Sequence, residues 1–378
     1  MKLNKNPIHK YEDIKKFCDD SIREPYITID TEFIRNKSFF PKLCLIQLAT
    51  NNQAIIIDTL SSINLEPIKN ILINPKILKV FHSSRQDLEI IFNTFKTLPK
   101  NIFDTQIAFS FLSLDDQVSY EKLVLKYCNK SIDKKYQYYD WSLRPLNSNQ
   151  IAYALSDVSY LTKIYQSIIL ELKKKKMLDW VFEETKKLLD KNLYIQNPKE
   201  YWRKIKINKK FKYSRKKLQL LTEYRENYCI KNNISRNSFL SDEKIITLLF
   251  KTRKQYKQIN LKNLIDEKFK QSEQNKLLEI LKQDDEPDIS ENIISSSFDA
   301  NLFNTTKILL NIVSNKYNIA ESMIAKVSDL KSLSKENKYS SKIFNSWRYK
   351  IFGNLIEKLF EGKLAITHKN GKIDFQEI

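Results

Sequence analysis

Two carboxylates stand two residues apart, Asp30 and Glu32, within the run Tyr26-Ile-Thr-Ile-Asp-Thr-Glu-Phe33. Alternate side chains of an extended run share a face, so both acids project from one side of one strand. Side by side they repel, and a divalent cation between them would turn that repulsion into coordination. The neighbouring Ile27, Ile29 and Phe33 argue for a buried strand, where uncompensated charge is costly. A third acid, Asp87, lies three residues after Ser84, and by itself Ser-x-x-Asp is an ordinary helix start. Tyr153 and Asp157 are four apart in a strongly helical pattern, hence neighbours on one face. Three nearby polar residues read more simply: His82 as a hydrogen-bonded strand end, Asp104 as a helix N-cap, and Asp140 with Trp141 as a loop anchor before Arg144-Pro145.

Rare residues exclude other chemistries. Glycine occurs only at Gly353, Gly362 and Gly371, so neither a phosphate-binding P-loop nor a dinucleotide fingerprint can be written, and no nucleotide cofactor is expected. The three histidines are scattered and Cys18, Cys44, Cys128 and Cys229 form no C-x-x-C pair, which leaves no zinc motif. Four dispersed cysteines read as buried free thiols of a reducing compartment. No apolar run suits a signal peptide or a spanning helix, so a cytoplasmic protein without membrane contact is expected. A net charge of +20 over 378 residues makes nucleic acid the first partner to consider.

The elements that must position these residues follow from periodicity. Residues 26–33, 42–49 and 54–58 are short apolar or β-branched runs and predict a three-strand meander. A helix near 65–72, a strand at 77–81, a helix from about Ser84 to Phe95 and a strand near Ile102-Phe103 follow, an α/β alternation with helices on a mixed sheet. Asn147 and Gln150 suit a variant capping box, after which Ile151, Leu155, Val158, Leu161, Tyr165, Ile169 and Leu172 keep helical spacing. A first domain therefore spans 1–175, followed by a basic, aromatic-bearing arm over 176–213. Two all-helical segments, 214–283 and 298–378, flank an acidic linker at 284–297 that should keep them separately folded. Asn233-Ile234 before Phe239-Leu240 recurs as Asn318-Ile319 before Ile324-Ala325, which suggests two copies of one helical module.

Together the acids spell D-x-E, then D, then Y-x-x-x-D. At this point the chain resembles the ribonuclease D family of DEDD exonucleases, in the subtype with a tyrosine in its last motif. Ile29-Asp-Thr-Glu-Phe33 with Leu43-Cys-Leu-Ile-Gln47 is similar to the first family motif, His82-Ser-Ser-Arg-Gln-Asp-Leu88 to the second and Tyr153-Ala-Leu-Ser-Asp157 to the third. Asp104-Thr-Gln106 and Asp140-Trp-Ser-Leu-Arg-Pro145 also resemble family segments, and the second half more loosely resembles tandem HRDC domains. The resemblance implies a ribonuclease H-like α/β exonuclease domain with a mixed sheet, followed by two all-α HRDC-like domains. It also implies that Asp30, Glu32, Asp87 and Asp157 hold two Mg²⁺ or Mn²⁺ ions about 3.5–4 Å apart, with Tyr153 holding or deprotonating the attacking water. The implied activity is 3′→5′ removal of nucleoside 5′-monophosphates from RNA with a free 3′ end, tRNA precursors included, by a monomer. A DNA exonuclease of the same fold and a catalytically inactive RNA-binding protein are the alternatives, the latter opposed by the intact acids. Arg35, Lys37, Lys42, Lys134, Lys135 and Arg144 are candidate phosphate contacts, and Phe33, Phe39 and Tyr136 candidate base-stacking residues. A chain cut near Lys210 is expected to keep its rate on short RNA and to weaken only on folded RNA.

Overall fold

The strand carrying Asp30 and Glu32 lies inside a six-stranded mixed sheet of order β1-β4-β3-β2-β5-β6 in a computed structural model of the protein. The description covers the whole chain except residues 36, 138, 208–213, 254–268, 284–298, 334–338, 340 and 370. The strands are β1 (Lys2–Leu3), β2 (Tyr26–Ile34), β3 (Lys42–Ala49), β4 (Gln53–Asp58), β5 (Leu78–Phe81) and β6 (Ile102–Asp104). β3 and β4 pair antiparallel, with Gln47 opposite Ile56, whereas β2–β5, β5–β6 and β1–β4 are parallel. The mixed α/β architecture expected from the periodicity is therefore present. β1 was not foreseen, because two residues are too few to show a period.

Helices α1 (Tyr11–Ser21), α2 (Glu66–Ile73), α3 (Arg85–Phe95), α4 (Thr105–Phe109), α5 (Tyr120–Cys128), α6 (Ser148–Lys174) and α7 (Leu178–Lys186) accompany the sheet. α6 starts as its sequence suggests: the Asn147 side chain accepts from the Asn149 and Gln150 backbone N–H groups, and the Gln150 side chain accepts from Asn147 N–H. α3 lies where expected, with Asp87 in its first turn, but its cap differs. Ser84 makes no side-chain cap, and its hydroxyl donates instead to Asp104, 2.8 Å away. Asp104, as expected, caps α4, and it also accepts the Ser83 and Ser84 backbone N–H groups. One carboxylate thus ties the starts of two helices together at the ends of β5 and β6.

Two compact units divide the described chain differently from the boundaries expected above. The first comprises Met1–Glu32, Leu43–Asp190 and Ile294–Ile378; the second comprises Phe33–Lys42 and Lys191–Ile293. In the second unit α8 (Arg215–Asn232), α9 (Arg236–Phe239), α10 (Asp242–Arg253) and α11 (Gln271–Lys282) enclose Phe39, Leu218, Leu221, Phe239, Ile245 and Leu277. The β2–β3 connection joins this unit through Ser235 N–H to the Lys37 carbonyl and Phe40 N–H to the Asn233 side chain. Arg225, fully buried there, donates to Glu226, Asp242 and the Leu240 carbonyl.

The C-terminal part of the first unit holds α12 (Ala300–Tyr317), α13 (Glu321–Ile324), α14 (Val327–Ser332), α15 (Ser346–Arg348), a π turn over Tyr349–Gly353 and α16 (Asn354–Phe360). It does not form a core of its own. Trp347 stacks on Trp180 at 5.2 Å and meets Phe111 edge-on at 5.0 Å, while Arg348 pairs with Glu184 at 2.6 Å. Backbone bonds seal the contact, with Ala320 N–H donating to the Ser110 carbonyl. Shared burial of aromatic surface, rather than a linker, decides where this segment belongs; the acidic stretch 284–297 lies outside the described residues.

The internal repeat is visible as geometry. Asn233 and Asn318 both end a long helix in the left-handed conformation, at φ 49° and 52°. Ile234 and Ile319 then donate to carbonyls five residues back, and a four-residue helix follows in each case. One element contradicts the all-helical expectation: β7 (Leu364–Lys369) and β8 (Lys372–Glu377) form an antiparallel hairpin. Its signal was present as Asn370-Gly371, the dipeptide suited to a tight hairpin turn, and Gly371 adopts φ +74°.

Candidate active site

β2 delivers Asp30 and Glu32, and α6 crosses the same face of the sheet, where the Thr28 hydroxyl donates to the Val158 carbonyl at 2.9 Å. That crossing brings Asp157 to the strand. One carboxylate oxygen each from Asp30, Glu32 and Asp157 lie within 4.8 Å of one another. Asp87, in the first turn of α3, is buried beside them and accepts the Thr31 hydroxyl at 2.5 Å. Three of the four acids singled out in the sequence, Asp30, Glu32 and Asp157, therefore converge from two elements, whereas Asp87 lies outside that group of oxygens and is near enough only for its charge to act on Glu32.

Electrostatics at this cluster is unbalanced. Burial pushes the Asp30 carboxyl up to about 7, against one backbone N–H that favours its charged form. Glu32 is pushed well up by burial and then by the charges of Asp30, Asp157 and Asp87. Asp87 and Asp157 are raised well above the carboxylate range by burial first and by Asp30 second. Among the described residues, no ion pair engages any of the four. Clustered acid oxygens without a basic partner form a donor set suited to a hard divalent cation, and a sulfur- or imidazole-loving metal would find nothing here.

Tyr153 sits one turn before Asp157, half-buried. Its ring is stacked 6.0 Å from Trp141 and lies 5.8 Å from Tyr136. Burial raises its phenol strongly, and the charges of Asp157, Glu32 and Asp30 add to that. The phenol thus lies near enough to feel the charges of the same carboxylates.

Two supporting residues were missed. Thr31 lies between the two acids and reaches Asp87; Tyr120 donates to the backbone carbonyls of Asp157, at 2.7 Å, and Ser156. Thr31 could have been flagged by its place inside D-x-E, whereas nothing local links Tyr120 to a helix 37 residues away. His82 behaves as expected, bonding Thr105 at 3.0 Å.

Some expected substrate contacts are placed otherwise. Arg144 forms a bidentate pair with Asp58, with Nε–Oδ2 at 2.5 Å and Nη2–Oδ1 at 2.7 Å, and also reaches the Cys44 carbonyl. It is a structural clamp rather than a phosphate contact. Phe39 is buried in the second unit beneath the Arg236 guanidinium, 4.6 Å from its ring, and is no platform for a base. Phe33 and Tyr136 are half-buried, and Arg35, Lys37, Lys42 and Lys135 are exposed; the Lys134 side chain lies outside the described residues.

Comparison with known proteins places the chain in a family. Residues 6–173 match the model of a 3′-5′ exonuclease family. Ribonuclease D of Bartonella henselae is 34% identical over 93% of this chain and 89% of its own length. Ribonuclease D of Zymomonas mobilis is 32% identical over 94% of each. The crystal structure of Escherichia coli RNase D superposes with a TM-score of 0.79 over 95% of this chain and 99% of that one; at 23% identity it speaks to the fold. No described helix is long and apolar enough to cross a membrane. With relatives alike over nearly their whole length and a matching exonuclease fold, this chain belongs to the ribonuclease D family of hydrolytic 3′-5′ exoribonucleases.

Proposed function

We propose that the enzyme trims structured RNA precursors, tRNA among them, from the 3′ end to nucleoside 5′-monophosphates, with Asp30, Glu32, Asp87 and Asp157 holding two divalent cations. The observation that carries this reading is the convergence of carboxylate oxygens from Asp30, Glu32 and Asp157 within 4.8 Å in a half-buried site. Mg²⁺ or Mn²⁺ bound there would supply charge stabilisation at the scissile phosphate and a nucleophilic water near neutral pH.

The remaining work falls to side chains. Thr31 and Tyr120 fix Asp87 and the backbone at Asp157, so the carboxylates are held before substrate arrives. Tyr153 orients the attacking water through its hydroxyl oxygen, and neutralising the carboxylates removes the part of its raised proton affinity that their charges add to the effect of burial. Trp141 and Tyr136 pack against the Tyr153 ring and restrict its rotation. The two modules with matching helix, left-handed asparagine and short helix support an HRDC-like pair that contacts the body of a folded RNA.

Matched RNA and DNA oligonucleotides with free 3′ ends, incubated with Mg²⁺ or Mn²⁺, test the reading. RNA should shorten stepwise to 5′-monophosphates and stop on chelation. Faster degradation of DNA would overturn the RNA assignment, and undiminished activity in chelator would overturn the cation assignment.

A further inference from the structure

Gln47 lies on β3 with a fully buried side chain, and neither its amide nitrogen nor its amide oxygen has a hydrogen-bond partner among the described residues. Each such orphan group costs about 1–3 kcal/mol, so a buried primary amide with both ends open calls for a reason.

Register supplies one. β2 and β3 are adjacent in the sheet and joined by residues 35–41, too short for the crossover that parallel strands require, so they run antiparallel. Two contacts align them: the Tyr26 hydroxyl donates to the Asn51 side chain at 2.5 Å, and the Thr28 hydroxyl lies 3.4 Å from the Ala49 carbonyl. On that alignment, two residues on along β2 and two back along β3 set Asp30 opposite Gln47. Thr28 also reaches the Val158 carbonyl, so this is the face covered by α6, the helix that brings Asp157. Directly opposed side chains on one face have Cβ atoms about 4.5–5.5 Å apart. On this alignment the side chain that carries the open amide leaves the sheet beside that of Asp30, although the two are not hydrogen-bonded as the structure stands.

We infer that Gln47 is a positioning residue for Asp30: its amide N–H donates to that carboxylate, directly after a small side-chain rotation or through one buried water, and sets which oxygen Asp30 turns towards the cation. This rests on the carboxylates binding a divalent cation, as proposed above. Outer partners of ligating carboxylates fix their orientation, and a buried donor with no competing acceptor suits that task.

Gln47→Met keeps the length and removes the amide; Gln47→Leu is the second variant. An amide without any role predicts stability equal to or above wild type, with unchanged activity, because an unsatisfied amide has been replaced by apolar surface. The positioning role predicts a Mn²⁺ dissociation constant, measured without RNA, raised about 10–100-fold. It further predicts a kcat on short RNA lower by about tenfold or more, KM for RNA unchanged and an undiminished melting temperature of the metal-free protein. Wild-type Mn²⁺ affinity and kcat in both variants would overturn it, and so would loss of folding in both, which would make the amide a structural requirement. Asp30→Asn measured alongside separates the two readings. If Asp30→Asn stays active the carboxylate assignment itself fails; if it is inactive while Gln47→Met matches wild type, only the role of Gln47 falls.

Discussion

At the scale of single residues, Asp30→Asn keeps the shape of the side chain and removes a ligand charge. Turnover should drop by about 10³-fold or more, the loss of several kcal/mol of cation-borne stabilisation, while RNA affinity in a gel-shift assay is retained. Tyr153→Phe leaves all four carboxylates in place; kcat should fall about 10²–10⁴-fold, the range for a lost proton-handling group, with KM nearly unchanged. A wild-type rate would reduce Tyr153 to a packing partner of Trp141 and Tyr136. The acids also predict a pH dependence. Asp30 titrates at about 7 in the folded chain, above its ordinary range, so folding favours the protonated acid. That contribution is complete below pH of about 4 and is lost as pH rises through about 7. In chelator, the melting temperature should decline from pH 5 to pH 8, and Asp30→Asn should flatten the decline. A flat wild-type profile would mean the cluster is less confined than its burial implies.

At the scale of elements, Arg144 shows how distance in sequence hides a role. It looked like a basic flank of the site, yet Asp58, 86 residues earlier, claims its guanidinium. Despite burial, which pushes it up, the Asp58 carboxyl is held below its usual range by Arg144. Arg144→Ala should cost about 2 kcal/mol in urea unfolding, less than a fully buried pair because Arg144 keeps contact with water. The salt dependence of RNA binding should stay unchanged, whereas a shallower slope would restore Arg144 as a phosphate contact. Ser84 teaches the same lesson at shorter range: its capping pattern was legible, but Asp104, arriving on the neighbouring strand, outcompeted the local bond. The central strands were readable as short continuous apolar runs because both of their faces are buried, and α6 because burial along one side writes a helical period into it. β1 is too short for that, and the β7–β8 hairpin was masked by the helical pattern before it.

For the whole molecule, the C-terminal segment matters more to the nuclease core than its linker-like surroundings suggested. Trp347 is 1% exposed between Trp180 and Phe111. Trp347→Ala should destabilise by about 3–5 kcal/mol, with loss of near-UV dichroism and of activity in one transition, since a single core is involved. A chain cut near Lys210 should then aggregate or melt early rather than retain its rate on short RNA, because the cut bares Phe111 and Trp180. A soluble, fully active truncated chain would show that the shared core is dispensable. The two modules were legible as a repeat, yet the pattern could not tell which copy would keep its own core, since that depends on aromatic residues as far away as Phe111.

This discontinuity has a consequence for synthesis. The ribosome makes Phe111 and Trp180 long before Trp347, and Lys191–Ile293, made in between, belong to a unit with a different core. At about 5–20 residues per second, the apolar face waits on the order of ten to thirty seconds for its cover. During that interval the nascent chain displays a sticky, half-finished surface, so its yield should depend on chaperones that bind such surfaces, and slowing translation should lengthen the exposure.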